Sequence, residues 1–272
     1  MSEGKDMSFF GHIGELRGHL IRSIIAIVIA SFAVGYNINW IMDHVFFGPT
    51  RNDFPTFKIV NHFSRMLLGS DSIELPKEFP VRVQRLYQQF NVMIAVSIFG
   101  GLVIAFPFIV WELWRFIGPA LHPNERKNSI FIINSVWILF VMGVMCGYFL
   151  ILPFAVNFGV IFKISDIIIP LYDLSDYTAL FLQVVIGMGV VFLFPILIYF
   201  LTIVGILNPK FMKKYRRHAV VLIMVVAAII TPADVLSMIM AALPLLILYE
   251  VSIIMCHYTF KKLQKREAGL QV

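Results

Sequence analysis

The stretch FIGPALHPNERK, residues 116–127, places a single carboxylate, Glu125, in a polar segment between two apolar runs. The apolar residues Phe116 and Leu121 precede it in the same segment. A carboxylate beside apolar surface can form a charge-assisted, bidentate hydrogen bond with an arginine of a partner, because the apolar groups exclude water. The alternative is structural: the two prolines end one helix and begin another, and Glu125 lies near the positive end of the second. The residues alone leave both interpretations open.

A second charged pair lies near the start of the chain, in SFFGHIGELRGHL. Four apolar residues in this stretch recur at helical spacing and form one face of a helix: Phe9, Ile13, Leu16 and Leu20. Glu15 and Arg17 fall largely off that face. One interpretation is an interfacial helix that leads into a membrane span. The other is that Glu15 and Arg17 are presented to a binding partner.

Three further acidic residues are candidates because they lie in or beside apolar runs. Carboxylates within a membrane are costly and are frequently functional. Glu112 is close to the end of its run and Glu250 interrupts the last one, so both are expected to reach the lipid headgroups. Asp234, in the turn TPAD, is expected to cap the final helix.

Motifs of enzyme active sites are missing from the sequence. It contains no phosphate-binding glycine loop, no H-E-x-x-H and no G-x-S-x-G, and its seven histidines are not paired at metal-ligand spacing. The two cysteines, Cys146 and Cys256, both fall in apolar runs and are expected to be buried as small hydrophobic residues. We therefore predict a protein that is not an enzyme and binds no metal or cofactor.

The composition indicates an integral membrane protein. Of the 272 residues, 59% are hydrophobic and only 14% are charged, whereas soluble domains carry about 25% charged residues. The apolar runs are continuous rather than alternating, which favours helices over a β-barrel. We predict an all-α, polytopic, single-domain protein covering residues 1–272. The expected spans are 20–46, 88–117, 128–158, 176–206, 216–231 and 235–257.

The last two of these six spans are expected to be short. The apolar run 219–230 has 12 residues, and the run 235–249 has 15 before Glu250. At 1.5 Å per residue, neither run crosses a hydrocarbon core of about 30 Å comfortably. Prolines in the spans bend the helices, and bent helices form a concave bundle. Short spans supported by neighbouring helices are favoured over a re-entrant hairpin.

The basic residues predict the orientation of the chain. Four segments hold 15 of the 22 lysines and arginines: 1–22, 115–127, 208–218 and 257–272. The positive-inside rule places these segments in the cytoplasm, which fits six spans with both termini inside. The net charge of +6 is explained by this asymmetry, and no nucleic-acid partner is expected.

Three motifs resemble those of the TatC family. HIGELRGHL resembles the signature H-L-x-E-L-R-x-R-L that opens the family. AFPFIVWELWRFIGPALHPNERK resembles its second span and first cytoplasmic loop, and RRHAVVLIMVVAAIITPADVLSMIMAALPLLILYE its fifth and sixth spans. The match covers nearly the whole chain in order. The resemblance implies the core receptor of the twin-arginine translocase, which exports folded proteins across the bacterial inner membrane using the proton motive force.

The resemblance also implies roles for residues and partners. The family's recognition glutamate falls on Glu125, its aromatic neighbour on Phe116 with Leu121 nearby, and the charged residues of its opening signature on Glu15 and Arg17. The proline that ends the first span falls on Pro49, and the acidic residue of the periplasmic turn on Asp234. The implied partners are twin-arginine signal peptides, single-span proteins of the TatA and TatB type, membrane lipid and further copies of the chain.

The chain departs from the family in one polar position. Many relatives have Glu or Gln just before the proline of the fourth span, where this chain has Leu193 and Phe194; Gln183 lies ten residues before Leu193. The first outer loop is also longer than is usual. The main competing function is a solute or ion transporter with Glu112 and Glu250 as proton-coupled sites. A membrane-embedded enzyme is a third, for which no nucleophile–base pattern is present.

Overall fold

The computed structural model describes residues 9–68, 79, 81–118, 129–162, 164–165, 171–232 and 234–269. Within these ranges the chain is almost entirely helical, which confirms the all-α prediction. The helices are, in chain order, α1 (Phe9–Tyr36), α2 (Ile38–Ile41), α3 (Pro55–Leu68), α4 (Gln88–Ile117), α5 (Ser129–Cys146), α6 (Leu152–Ile161), α7 (Leu174–Val191), α8 (Phe194–Ile203), α9 (Pro209–Lys214), α10 (Arg216–Ile230) and α11 (Val235–Gly269).

Five segments of the described residues are long and apolar enough to cross a membrane. They are Gly14–Tyr36, Gln88–Phe116, Ile132–Ile161, Leu174–Ile203 and Val235–Gln264. Each corresponds to one of the six predicted spans. The remaining prediction, residues 216–231, coincides with α10, a helix of 15 residues, or about 22 Å.

The last helix is longer than the sequence led us to expect. The apolar run ends at Glu250, yet α11 continues without a break to Gly269 and has 35 residues. Arg216 of α10 donates from Nε to Oε1 of Glu250 at 2.6 Å, so the charge that interrupts the run is paired. Of the two spans predicted to be short, only α10 is a short helix.

The chain forms two units, each with its own contacts. The first contains Met1–Ile41 and Gln89–Ile138. Here α1 and α4 run antiparallel and approach closely through small residues: a Cβ added at Gly101 would lie 2.6 Å from the backbone N of Ser31. A Cβ at Gly35 would lie 3.3 Å from Oγ of Ser97. Glycine is therefore required at Gly101 for the helices to pack at this distance.

The second unit contains Met42–Gln88 and Leu139–Val272. Its helices also meet through glycines: a Cβ at Gly143 of α5 would lie 2.5 Å from the carbonyl O of Met188 and 2.9 Å from Cα of Gly189, both in α7. In the opposite direction, a Cβ at Gly189 would lie 2.8 Å from the ring of Phe140. The backbones of α5 and α7 are thus in near contact.

Two of the predicted spans are interrupted at prolines. A π-helical segment, Gly147–Ile151, joins α5 to α6, and Pro153 lies in the first turn of α6. The fourth span divides into α7 and α8, and Pro195 lies in the first turn of α8. Proline removes a backbone donor and collides with the preceding turn, so a helix bends or restarts where one occurs.

The described part of the chain between α2 and α4 is held to helices of the second unit by polar contacts. A short parallel pair joins β1 (Val81–Arg82) to β2 (Tyr172–Asp173). Gln88 donates from Nε2 to Oδ1 of Asp173 at 2.5 Å and to Oγ of Ser175 at 2.7 Å. The hydroxyl of Tyr177 donates to the carbonyl O of Phe46, and that of Tyr148 to Val45. The segment that follows α2 is therefore fixed to α7 and to the π-helical turn.

Two glycine-to-alanine variants test the close packing of α5 on α7. In Gly143→Ala the new Cβ meets backbone atoms that cannot move aside, so we expect a loss of about 1–3 kcal/mol of stability. Gly159→Ala is the matched control, because a Cβ there has nothing within 4 Å and alanine favours the helix. Thermal unfolding in detergent should show a lower Tm for the first variant and an unchanged or higher Tm for the second. Equal Tm values would contradict the packing described.

Candidate functional site

The predicted binding residues fall into two groups. Leu121 and Glu125 lie outside the described residues. Glu15 and Arg17 are exposed on the first turns of α1, and Phe116 is half-buried in the last turn of α4. These three residues belong to the same unit.

The antiparallel pairing of α1 and α4 brings the start of one helix to the end of the other. Two contacts show the antiparallel direction. Ser31 of α1 lies against Gly101 of α4, whereas His19, earlier in α1, lies against Phe116, later in α4. The rings of His19 and Phe116 lie 6.0 Å apart between centroids, at an angle of 59°. Glu15 is four residues before His19, about one helical turn further along the same face. The signature residues therefore lie at the end of α4 from which the segment carrying Glu125 departs.

A buried carboxylate joins the two helices just behind this end. The side chain of Glu112 is 1% exposed, and its Oε2 lies 2.6 Å from Nδ1 of His19. Arg22 donates to the same oxygen from Nε at 2.9 Å, and its Nη2 lies 2.8 Å from that oxygen and 2.8 Å from Nδ1 of His19. Nη1 of Arg115 lies 3.6 Å from Oε1. Glu112 is therefore enclosed by three basic side chains, where the sequence had suggested a side chain extended toward the headgroups.

Each basic neighbour is placed by helical spacing. His19 and Arg22 are three residues apart and share a face of α1, and Arg115 is one turn beyond Glu112 on α4. The guanidinium of Arg115 also lies 5.0 Å from the centre of the Trp111 ring, within cation–π range. Arg22 and Arg115 are about half exposed, so their outer faces remain in contact with the surroundings.

Sequence reasoning missed His19 and Arg22 as partners of Glu112. The signal was present: residues 15, 19 and 22 recur at spacings of 4 and 3, which put them on one face of a helix. What the sequence could not supply was the register of α1 on α4. That register follows from contacts between the two helices, such as the close approach at Gly101, which no periodicity within either helix reveals.

The remaining candidates lie in the second unit. Asp234 caps α11 as predicted, because its Oδ2 accepts from the backbone N–H of Ser237 at 2.6 Å. Pro49 is buried in the short 3₁₀ turn Gly48–Thr50. Glu250 forms an ion pair with Arg216, and its side chain is 44% exposed.

The residues just before the proline of the fourth span, Leu193 and Phe194, are apolar in this chain. Leu193 is one of twelve apolar residues that line a groove of about 360 Å³ formed by α7, α8, α10 and α11. Gln183 does not replace the missing polar group, because its Nε2 donates to the carbonyl O of Ile229. Among the described residues, no group of three or more His, Cys, Asp and Glu side chains is arranged to hold a metal ion.

Comparison with known proteins identifies the family. The family model described as "Sec-independent protein translocase protein (TatC)" matches residues 11–244. The TatC protein of Blattabacterium sp. subsp. Periplaneta americana is 40% identical over 263 residues, which cover 96% of this chain and 99% of the relative. The TatC protein of Halalkalibacterium halodurans is 32% identical over 267 residues, covering 97% of this chain and 94% of the relative.

A solved structure extends the similarity to the fold. A crystal structure of the twin-arginine translocase receptor TatC in DDM superposes with a TM-score of 0.70 at 29% identity. The superposition covers 90% of this chain and 99% of the crystallised one. The motifs, the helical architecture and these similarities agree. The chain belongs to the TatC family of Sec-independent protein translocase proteins.

Proposed function

We propose that this chain is the signal-peptide receptor of a twin-arginine translocase. The observation that carries the proposal is the contact between α1 and α4 at His19 and Phe116. It brings Glu15 and Arg17 to the end of α4 that precedes Glu125. The proposed binding residues are Glu125, Phe116, Leu121, Glu15 and Arg17.

The chemistry of these residues suits a peptide that carries two adjacent arginines. Glu15 and Glu125 supply two carboxylates, and each can accept paired hydrogen bonds from a guanidinium. Phe116 and Leu121 supply apolar surface that lowers the local dielectric constant and strengthens those bonds. Lysine has the same charge but only a compact ammonium, so it cannot reproduce the bidentate contact. A site of this kind therefore distinguishes twin arginine from twin lysine.

We propose further that the chain crosses the bacterial inner membrane six times with both termini in the cytoplasm. The five long apolar helices support a multi-pass protein. The sixth crossing would be α10, supported by α11 and by the ion pair of Arg216 with Glu250. The distribution of basic residues supports the orientation, because the segments at both termini, before α5 and before α10 are the basic ones.

The proposed partners are single-span proteins of the TatA and TatB type, membrane lipid and further copies of the chain. The groove beside Leu193 is lined only by apolar residues, which is the surface that a membrane-spanning helix or a lipid chain requires. With these partners the chain would support export of folded proteins driven by the proton motive force. Membership of a translocase family is in keeping with a protein that performs no catalysis.

The competing transporter hypothesis gains no support from its two carboxylates. Glu112 is enclosed by His19, Arg22 and Arg115, and Glu250 pairs with Arg216. Each carboxylate already pairs with an arginine of another helix, and a transport site would have to break that pair. The two residues are therefore better explained as contacts between helices.

Photo-crosslinking tests the receptor role. A photoreactive amino acid at position 116 should crosslink to a twin-arginine signal peptide and far less to its twin-lysine counterpart. Glu125→Ala should abolish the difference, because losing one partner of a desolvated charge pair costs about 2–5 kcal/mol. Asp176→Ala, which removes an exposed carboxylate at the start of α7, is the matched control and should behave as the parent. A crosslink that is indifferent both to the peptide and to Glu125→Ala would contradict the proposal.

An export assay tests the same carboxylate in the cell. Glu125→Ala and Glu125→Lys should impair export of a twin-arginine substrate while membrane insertion and protein level stay normal. The lysine variant should be the more severe, since it adds repulsion to the lost contact. Normal export by Glu125→Lys would show that the residue only begins a helix.

Cysteine labelling tests the sixth crossing. In a chain lacking Cys146 and Cys256, a cysteine at Lys213 should react only with reagents that reach the cytoplasm. A cysteine at Val235, which is exposed at the start of α11, should react with impermeant reagent added outside. Labelling of both positions from the cytoplasm would indicate that α10 enters and leaves the membrane on one side.

A further inference from the structure

The contacts of Glu112 are a feature that the proposed binding chemistry does not use. Its carboxylate is almost completely buried, and a buried carboxylate is tolerated only where it is paired and hydrogen-bonded. Here α1 supplies two of the pairing residues, His19 and Arg22, whose nitrogens lie 2.6–2.9 Å from the same oxygen. Glu112 thus fixes the position of α1 along the axis of α4 and the face that α1 turns toward α4.

This attachment lies one helical turn from the proposed site on both helices. On α1, Glu15 is four residues before His19 and lies on the same face. On α4, Phe116 is four residues after Glu112, on the side from which the chain continues toward Glu125. The rings of His19 on α1 and Phe116 on α4 also contact each other at this end of the helix pair. A shift of α1 along α4 would therefore change the distance from Glu15 to Phe116 directly.

The close packing elsewhere on α1 cannot fix this end alone. The contacts of Ser31 with Gly101 and of Gly35 with Ser97 lie nine or more residues beyond Arg22, at least about 13 Å along the helix axis. The first turns of α1 are exposed from Gly14 to Arg17. Because these contacts are far from the first turns of α1, they leave those turns able to rotate or bend. The contact with Glu112 lies next to the first turns and can restrain them.

We propose that Glu112 is a positioning residue for the signal-peptide site. With His19 and Arg22 it sets the register of the start of α1 on the end of α4, and so holds Glu15 at the distance from Phe116 that a twin-arginine pair requires. The inference rests on the proposed receptor function. Glu112 itself does not touch the peptide.

The first measurement reports the register without any peptide. Cysteines replace Glu15 and Phe116 in a chain lacking Cys146 and Cys256, and a short bifunctional thiol reagent joins them. The rate of joining should fall about tenfold when Glu112→Ala is added. Arg115→Gln is the matched control, because Arg115 is half exposed and lies 3.6 Å from the carboxylate; it should leave the rate unchanged.

The second measurement reports binding in chains that keep Glu15. Glu112→Ala should lower the crosslink from position 116 to a twin-arginine peptide about tenfold, the effect of 1.4 kcal/mol. Glu112→Gln retains an oxygen acceptor for Arg22 and should recover part of the yield. Arg115→Gln should match the parent. Both measurements are made well below the Tm of each variant, so that a lower yield reports the geometry of the site and not unfolding.

Each outcome has a defined meaning. A slower joining rate together with a lower peptide crosslink supports the inference. An unchanged joining rate overturns it, as does a slower rate with an unchanged peptide crosslink. A parent that fails to crosslink the peptide while its cysteines still join would contradict the receptor function itself, and with it the role given to Glu112.

Discussion

Polar groups within a membrane must find partners inside the protein, because the hydrocarbon core offers none. Several polar side chains of the described helices meet this constraint, whereas Oδ1 of Asp234 and Oγ of Ser237 are buried without a partner. Glu112 is paired with basic side chains of α1, Glu250 is paired with Arg216, and Gln183 donates to the carbonyl O of Ile229. Hydroxyl side chains instead donate a hydrogen bond to the backbone carbonyl one turn earlier in the chain. Examples are Ser31, Thr178, Thr202, Thr231 and Ser252. Pairs between different helices determine register, whereas pairs within a helix do not.

The pair formed by Glu112 has the largest consequence for function. It connects the first and second long helices near the end where the family signature lies and from which the chain continues to the proposed recognition segment. A buried ion pair is weak support for stability, since hydrophobic residues of equal volume often serve as well. Its value here would be geometric: one oxygen accepts contacts from two side chains on one face of α1, which restricts both rotation and translation.

Much of the fold could be predicted from the sequence, because long apolar runs have few alternatives in lipid. The helical class, five long spans and the cap at Asp234 followed from composition and spacing alone. The last helix was expected to end near residue 257 and to be short, because Glu250 interrupts its apolar run. The partner of Glu250 is Arg216, 34 residues earlier in the chain, and no local sequence pattern predicts an ion pair between such distant residues. The contacts of Glu112 were missed for the same reason, since they join residues 90 and 93 positions apart.

The kind of site stays a prediction, and the arrangement of its described residues could not be derived from the sequence. A loop carboxylate beside apolar residues indicated recognition of arginine, and the motif resemblance agreed with it. Glycines such as Gly101 and Gly143 carried no sequence signal of their own, yet they determine how closely the backbones approach and therefore which side chains meet. Close approach of this kind is a property of two helices together, and a single sequence pattern describes only one.

The central claim is that carboxylates of this chain recognise the paired arginines of a signal peptide. Equilibrium binding to the purified protein tests it through a double-mutant cycle that combines Glu125→Gln with replacement of each peptide arginine by lysine. The account predicts coupling of at least about 1.5 kcal/mol for one of the arginines, so that its loss matters little once Glu125 is gone. Effects that simply add for both arginines would show that Glu125 and the peptide do not meet, and would contradict the claim.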